Sequence, residues 1–258
     1  MKIGMESRRR KVVVAPEYEF LSEFINSIPD NFPHIGTTIR DVRNCVKYVD
    51  IDDSLCINIK RYCIPKLMHN RLVYRRFRKT KAQRAYEYAE EFLHLGINTP
   101  TPIGYIVEEG TFFISYCYLI TVQASYTRDM AELREAEVTP LTKKIAAGFG
   151  RYTAKMHENG YYHNDYGANN ILLDVVDEEP EYCVIDINRM YIGEVSQQKG
   201  CRNFDKLGWS PKILKIAAEA YALARGFDKE QIVNSVIYGK KEMSAYKKLW
   251  KRLKKIFK

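Results

Sequence analysis

The sequence lacks closely spaced cysteines: its six cysteines form no C-x-x-C motif and no cluster with histidine. Such spacings are typical of zinc sites and redox centres, and neither is indicated here. A chain of 258 residues can bury a substantial core without a disulfide framework. We therefore expect reduced thiols, mostly in the core, and a cytoplasmic location.

Long apolar runs are absent as well. The arginines at 8–10 are followed only by the valines at 12–14, which is too short for the apolar region of a signal peptide. No stretch approaches the roughly 20 apolar residues that a membrane span needs. We expect a protein that is soluble or peripheral to a membrane.

Acidic residues are missing between positions 60 and 84, although the segment contains ten basic residues. The whole chain has 41 lysines and arginines against 32 acidic residues, a net charge of +9. This charge predicts an acidic partner, and nucleotide phosphate, anionic lipid and nucleic acid would all be attracted by it. A strongly solvated pair of helices is the alternative interpretation. The basic residues are Lys60, Arg61, Lys66, Arg71, Arg75, Arg76, Arg78, Lys79, Lys81 and Arg84.

The clearest functional pattern begins at His163. Asp165 is followed five residues later by Asn170, and two short apolar runs separated by the acidic turn 177–180 come next. The runs predict neighbouring strands, and Asp186 follows the second of them. Such a hairpin would bring Asp165, Asn170 and Asp186 to the same end.

These three side chains suit phosphoryl transfer. Asp165 can orient an acceptor hydroxyl and take up its proton, while Asn170 and Asp186 offer oxygen ligands to Mg²⁺ beside the phosphates. The order H-x-D-x-x-x-x-N, hairpin, Asp resembles the catalytic and metal-binding loops of the protein-kinase-like superfamily. The alternative is a solvated turn rich in Asn and Asp between two core strands.

Three strand-like runs, 35–39, 45–51 and 55–62, predict a β-meander ahead of this pattern. Kinase-like proteins carry a glycine-rich phosphate loop in the first turn of such a meander, but only Gly36 is present here. Arg43, with its neighbour Arg40, is the candidate to supply positive charge to the phosphates instead.

The third run predicts that Lys60 faces away from Ile57 and Ile59, the position of the phosphate-binding lysine in kinase-like proteins. A helix is predicted over 79–95 from its apolar spacing and the glycine that follows. By the same resemblance, Glu87 on this helix is the expected partner of Lys60. A solvated helix glutamate is the alternative.

Further helices are predicted at both ends and in the middle of the chain. Near the start, 16–28 should bury Phe20 and its helical neighbours. A helix capped by Thr139, with proline at its first position, should run to Asn159. The terminal segment YKKLWKRLKKIFK predicts a basic amphipathic helix, which suits an anionic membrane surface and equally a helix docked on the C-lobe.

The segment 60–105, which includes YRRFRKTKA, resembles the bacterial lipopolysaccharide kinases of the Kdo/heptose (InaA-like) group. With HNDYGANNILL and IDINR, the resemblance extends over 30–207. It implies an α+β, two-lobed protein-kinase-like fold with a small antiparallel β lobe bearing one main helix and a larger, mostly helical lobe. The implied organisation is an N-terminal extension (1–30), an N-lobe (31–124), a C-lobe (125–243) and the basic helix (244–258).

The same resemblance implies phosphorylation of a Kdo or heptose hydroxyl of the lipopolysaccharide inner core, with ATP and Mg²⁺. The expected partners are ATP, the acidic glycolipid and the cytoplasmic face of the inner membrane, and not nucleic acid. The implied catalytic residues are Asp165, Lys60 and Glu87; the nucleotide-binding residues are Lys60, Arg43, Asn170 and Asp186; the magnesium ligands are Asn170 and Asp186.

Two departures from the pattern leave alternatives open. The glycine loop is missing, and Ile187 and Asn188 follow Asp186 without the glycine found in protein kinases. One alternative is a kinase of related fold that acts on a protein or a small metabolite. Another is a pseudokinase that binds a partner at the membrane without catalysis. The oligomeric state is not predicted.

Overall fold

The computed structural model of the protein describes residues 9–63, 79–109 and 114–238. The predicted terminal helix 244–258 and the basic residues between 64 and 78 lie outside these ranges. The chain divides into two compact units. The first contains the described residues up to Ser125 together with Asp186–Asn188, and the second contains Tyr126–Ile185 and the described residues from Arg189 onward.

The first unit is built on an antiparallel sheet of six strands in the order β1-β5-β6-β4-β3-β2. The predicted meander is therefore confirmed as β2 to β4. The strands are β1 (Arg9–Val14), β2 (Thr37–Asp41), β3 (Cys45–Asp50), β4 (Cys56–Tyr62), β5 (Pro102–Glu109) and β6 (Ile114–Val122).

Each face of this sheet buries a separate apolar cluster. Ile57 and Ile59 of β4 pack on one face with helix α1 (Ser22–Asn31). Tyr62 packs on the other face with helix α2 (Lys81–His94). Because side chains alternate along a strand, Lys60 shares the face of Tyr62, as the sequence predicted.

The N-terminal segment begins with a strand, and the helix that follows differs from its prediction at Phe20. β1 is a strand of the sheet and pairs with β5 throughout its length, so residues 9–14 are part of the first unit's framework. Phe20 is 68% exposed, because the chain forms a 3₁₀ turn over Pro16–Leu21 with a non-helical Tyr18 before α1 begins. This turn shifts the buried face to Leu21, Ile25 and Ile28.

Phe149 lies at the centre of the second unit's core. Its ring contacts those of Tyr166, Tyr182, Phe204 and Trp209. The elements of this unit are β7 (Arg128–Asp129), α3 (Pro140–Glu158), β8 (Tyr161–His163), β9 (Ile171–Val176), β10 (Glu179–Val184), β11 (Met190–Ile192), α4 (Gln197–Cys201) and α5 (Pro211–Ala224), and residues 229–238 are also helical.

Helix α3 confirms the predicted start at Thr139, whose side chain accepts a hydrogen bond from the Thr142 amide at 3.1 Å. The close approach of α3 to α5 requires a glycine, since a Cβ on Gly150 would lie 2.2 Å from the Ala217 carbonyl oxygen. This packing fixes the helix that leads into His163.

The predicted hairpin is confirmed as β9 and β10, which pair antiparallel. Its turn is tighter than expected, because only Asp177 and Glu178 lie between the strands, with φ of 49° and 64°. Left-handed conformation at both turn residues matches the right-handed twist of the strands. Pro180 therefore belongs to β10 rather than to the turn.

Candidate active site

Lys60 of the first unit forms an ion pair with Asp186, with 2.8 Å between Nζ and Oδ1. The pair is mostly shielded from solvent, with 18% of the lysine side chain and 27% of the aspartate side chain exposed. The side-chain amide nitrogen of Asn188 also donates to Asp186 Oδ1. Burial, and after it the charge of Asp186, raise the pKa of the neighbouring Tyr62. The sequence thus predicted both charged residues but not their pairing.

Glu87 does not pair with Lys60 as expected. Its carboxylate accepts hydrogen bonds from Lys79 at 2.7 Å and from Gln83 at 3.1 Å. Gln83 lies one helical turn before Glu87, so the two share one side of α2. Lys60 pairs with Asp186 instead, and Glu87 pairs with Lys79. These two ion pairs replace the predicted Lys60–Glu87 pair.

The turn after β2 contains the predicted phosphate-binding arginine. Arg43 is exposed there, and Arg40 is exposed on β2. Packing requires a glycine at position 36, because its φ is 58° and a Cβ there would lie 2.2 Å from the Tyr48 carbonyl oxygen. The phosphate contact of Arg43 stays a prediction.

His163 supports the predicted catalytic loop from inside the second unit. The imidazole is fully buried, and its Nδ1 accepts a hydrogen bond from the Asp165 amide at 3.0 Å. Its Nε2 lies 3.3 Å from the Ile185 carbonyl oxygen, to which it donates. His163 therefore supports the backbone of the loop, since both of its ring nitrogens bond to main-chain groups.

Asn170 closes the other end of the loop. Its side-chain nitrogen donates to the Asp165 carbonyl oxygen at 2.8 Å, and its own carbonyl accepts from the Ile185 amide at 2.9 Å. The side-chain oxygen of Asn170 is consequently the atom that can bind a cation. Oxygen donors of this kind suit Mg²⁺.

The residue after Asp165 anchors the loop to the core. Tyr166 is 1% exposed, stacks on Phe149 with 5.6 Å between ring centroids, and its hydroxyl lies 3.0 Å from that of Thr153. A buried aromatic side chain with a bonded hydroxyl has little freedom. The adjacent Asp165 is thereby held at a fixed position of the second unit.

Two cations accompany the Asp165 carboxylate, which is 43% exposed. Lys206 Nζ is 3.1 Å from Oδ1 and 2.8 Å from the Asn164 carbonyl oxygen. Arg189 lies further away, with 3.8 Å between NH1 and Oδ2. A carboxylate between two positive groups can bind a hydroxyl and an anionic group at adjacent positions.

A buried chain of hydrogen bonds supports the loop from the side of α3. The Tyr221 hydroxyl lies 2.9 Å from His157 Nδ1, and His157 Nε2 lies 2.8 Å from Asn203 Oδ1. The side-chain nitrogen of Asn203 donates to the His163 carbonyl oxygen at 2.9 Å. Because Asn203 Oδ1 can only accept, Nε2 carries the proton and Nδ1 accepts from Tyr221. Burial lowers the pKa of His157 to about 4.

The sequence pattern did not identify this network. Asn203 and Lys206 form the bonds described above, and no motif of the sequence analysis included either residue. Their only signal is their place in the NFDK segment. His157 and Tyr221 lie on the buried faces of two helices. Helical periodicity predicts that such residues are buried but does not predict which residues they bond.

Within residues 9–63, 79–109 and 114–238, no group of three or more His, Cys, Asp or Glu side chains is arranged to hold a metal ion. In the same ranges no helix has the length and apolar character that a membrane crossing requires.

The chain is similar to two curated proteins, both 3-deoxy-D-manno-octulosonic acid kinases of Haemophilus influenzae. The protein of strain 86-028NP is 24% identical over 166 residues, which cover 64% of this chain and 61% of that protein. The protein of strain PittGG is 23% identical over 125 residues, covering 48% and 51% respectively. The matches thus span half to three fifths of the relatives' own length.

A solved structure has a similar fold. It is described as WaaP in complex with acyl carrier protein, and it matches with a TM-score of 0.64 at 15% identity over 92% of this chain and 98% of that chain. The α+β, protein-kinase-like fold predicted from the sequence is confirmed.

One family model covers most of the described functional residues. The model of the lipopolysaccharide kinase (Kdo/WaaP) family matches residues 58–224, which include Lys60, Asp165, Asn170 and Asp186. Because this match extends over more than half of the sequence, the chain belongs to the lipopolysaccharide kinase (Kdo/WaaP) family.

Proposed function

We propose that the protein transfers the γ-phosphate of ATP to a hydroxyl of Kdo or heptose in the lipopolysaccharide inner core. The observation that carries this proposal is the family match over 58–224, which encloses the lysine, two aspartates and asparagine that phosphoryl transfer needs. The names of the curated relatives favour Kdo as the acceptor.

Each residue of the set has a separate role in this proposal. Lys60 contacts the phosphates of ATP, and Arg43 contributes charge from its exposed turn. Asp165 orients the acceptor hydroxyl and takes up its proton. Asp186 and the side-chain oxygen of Asn170 are the proposed Mg²⁺ ligands. Bound Mg²⁺ neutralises phosphate charge, which favours attack by an uncharged hydroxyl.

The donor chemistry of these two ligands fits Mg²⁺. Asp186 Oδ1 accepts from Lys60 and from the side-chain amide of Asn188, which holds the carboxylate in place. The nitrogen of the Asn170 side chain is bonded to the loop, so its oxygen is directed by that bond. Carboxylate and amide oxygens are hard ligands of the type that Mg²⁺ prefers.

The direct test is phosphate transfer from γ-labelled ATP to Kdo–lipid A and to core glycolipid extracts, beside a protein mixture. We expect label in the glycolipid, lost when EDTA removes Mg²⁺ and reduced at least about 100-fold in Lys60→Met. Lys144→Met is the matched control, because Lys144 pairs with exposed Glu179 at the surface.

The competing functions give different results in this assay. Label in protein alone would identify a protein kinase and contradict the glycolipid acceptor. ATP binding without transfer to any acceptor, including small metabolites, would indicate a pseudokinase. Label in Kdo–lipid A but not in heptose-containing material would assign the acceptor sugar.

We also propose peripheral contact with the anionic cytoplasmic face of the inner membrane through residues 244–258. The support is the sequence of this segment, with a basic side and an apolar, tryptophan-containing side. Full-length protein should co-sediment with vesicles of anionic phospholipid, and a chain ending at residue 243 should lose most of this binding. Equal sedimentation of both forms, or binding to neutral vesicles alone, contradicts the proposal.

A further inference from the structure

Lys206 has no part in the function proposed above, although it is bonded directly to the catalytic loop. It ends the 3₁₀ turn Arg202–Lys206. Its ammonium donates to the Asn164 carbonyl oxygen at 2.8 Å and to Asp165 Oδ1 at 3.1 Å. Arg189, at 3.8 Å from the other carboxylate oxygen, is too distant for a hydrogen bond.

Stability alone does not account for this lysine. Its side chain is 48% exposed and that of Asp165 is 43% exposed. Ion pairs so accessible to water contribute little to the stability of the fold, while fixing a long lysine side chain costs rotamer entropy. A fixed, half-exposed ammonium beside an orienting carboxylate is better explained by a ligand.

The turn that carries Lys206 is itself immobilised. Asn203, three residues earlier, accepts from His157 and donates to the His163 carbonyl oxygen. Phe204 packs edge to face on Phe149 at 6.2 Å. These contacts tie the turn to the same loop that Lys206 reaches, so the ammonium is preorganised before any substrate binds.

The geometry points to Lys206 as a catalytic residue that binds the non-bridging oxygens of the transferred phosphoryl group. This inference rests on the proposed function. An acceptor hydroxyl bonded to Asp165 lies about 2.6–3.2 Å from the carboxylate. The phosphorus under attack lies about 3–3.5 Å beyond the acceptor oxygen. A lysine at 3.1 Å from the same carboxylate can reach the oxygens on that phosphorus.

The loop itself provides no positive charge for this group. Residues 163–170, HNDYGANN, contain neither lysine nor arginine, and Gly167 follows Asp165 by two positions. In phosphoryl transfer the negative charge is spread over three equatorial oxygens, and stabilising it is the main catalytic task of the protein. Lys206 brings an ammonium to the loop from a distant segment.

In the step, an acceptor oxygen lone pair forms the new bond to the γ-phosphorus. The bond from this phosphorus to the oxygen that bridges to the β-phosphate breaks, and its electron pair leaves with ADP. The hydroxyl proton passes to Asp165 and then to solvent. Lys206 donates hydrogen bonds to the phosphoryl oxygens as they move between the two partners.

The test uses aluminium fluoride, which with ADP mimics the transferring phosphoryl group. The measured quantity is the ratio of ADP affinities with and without aluminium fluoride, in the full chain with Mg²⁺. We expect Lys206→Met to reduce this ratio about 10- to 100-fold while the affinity for ADP alone changes less than about 2-fold. Lys206→Arg, which keeps a cation, should retain much of the ratio.

Lys212→Met is the matched control, because Lys212 is an exposed lysine of α5. It should keep the wild-type ratio. A wild-type ratio in Lys206→Met, with an unchanged melting temperature, would overturn the inference and leave the proposed function intact. Failure of the wild type to bind ADP at all would instead reject the proposed function and the inference with it. A wild-type ratio near one, with ADP bound, would reject the inference alone.

Discussion

Asp165→Asn is expected to reduce phosphate transfer about 1,000-fold or more and to change ATP affinity by less than about 2-fold. The substitution removes the charge and the proton-accepting capacity of the carboxylate but keeps its shape. The loop should survive, because His163 and Asn170 bind the main chain of Asp165 rather than its side chain. Single-turnover transfer and calorimetric ATP binding measure the two quantities.

Asp174→Asn provides the matched control for this experiment. Asp174 lies on β9, where its carboxylate accepts a hydrogen bond from the Val175 amide at 2.9 Å. We expect wild-type transfer in this variant. If Asp165→Asn also retained turnover, Asp165 would not be the residue that orients the acceptor, and the proposed mechanism would be wrong.

Acidification is expected to destabilise the second unit through His157. Burial lowers the pKa of this imidazole from 6.5 to about 4, so the folded protein keeps it neutral at a pH where the unfolded chain binds a proton. The contribution is therefore fully present above pH 6.5 and decreases as the pH falls toward 4. It amounts to about 2 kcal/mol between pH 7 and pH 5.

Urea unfolding at several pH values tests this expectation, with the fluorescence of buried Trp209 as a probe of the second unit. His157→Gln should be less stable than the wild type at pH 7, because it disturbs the buried hydrogen bonds of His157 with Tyr221 and Asn203. From pH 7 to pH 5, the unfolding free energy of the wild type should fall by about 2 kcal/mol more than that of His157→Gln.

His34→Gln separates this effect from general acid denaturation. His34 is exposed, so its replacement should leave the wild-type pH dependence unchanged. If His157→Gln and the wild type lost equal free energy between pH 7 and pH 5, the neutral imidazole would not be the cause. The Tyr221–His157–Asn203 chain would then need a different protonation pattern.

Local patterns in the sequence were sufficient for several features of the site. Strand alternation placed Lys60 opposite Ile57 and Ile59, and the burial of β4 follows that alternation. The cap at Thr139 and the glycine after Asn159 bounded α3 correctly. These predictions succeeded because each depends on residues within one or two turns of the backbone.

Two other predictions were wrong because of local structure that the sequence pattern did not reveal. Phe20 was placed on a continuous helical face, but the chain forms a 3₁₀ turn and a kink at Tyr18 first. Glu87 was assigned to Lys60 by resemblance, whereas it bonds Lys79, just before the start of α2, and Gln83, one turn earlier on α2. Propensity does not rank such competing partners, which differ by small free energies.

The sequence by itself determined the fold class, the β-meander, the hairpin and the order of His163, Asp165, Asn170 and Asp186. Only the tertiary structure decided which groups support and charge the loop. Lys206 is 41 residues from Asp165 and Asn203 is 40 residues from His163 along the chain. Such pairs leave no periodic trace, because packing around Phe149 rather than local backbone geometry brings them together.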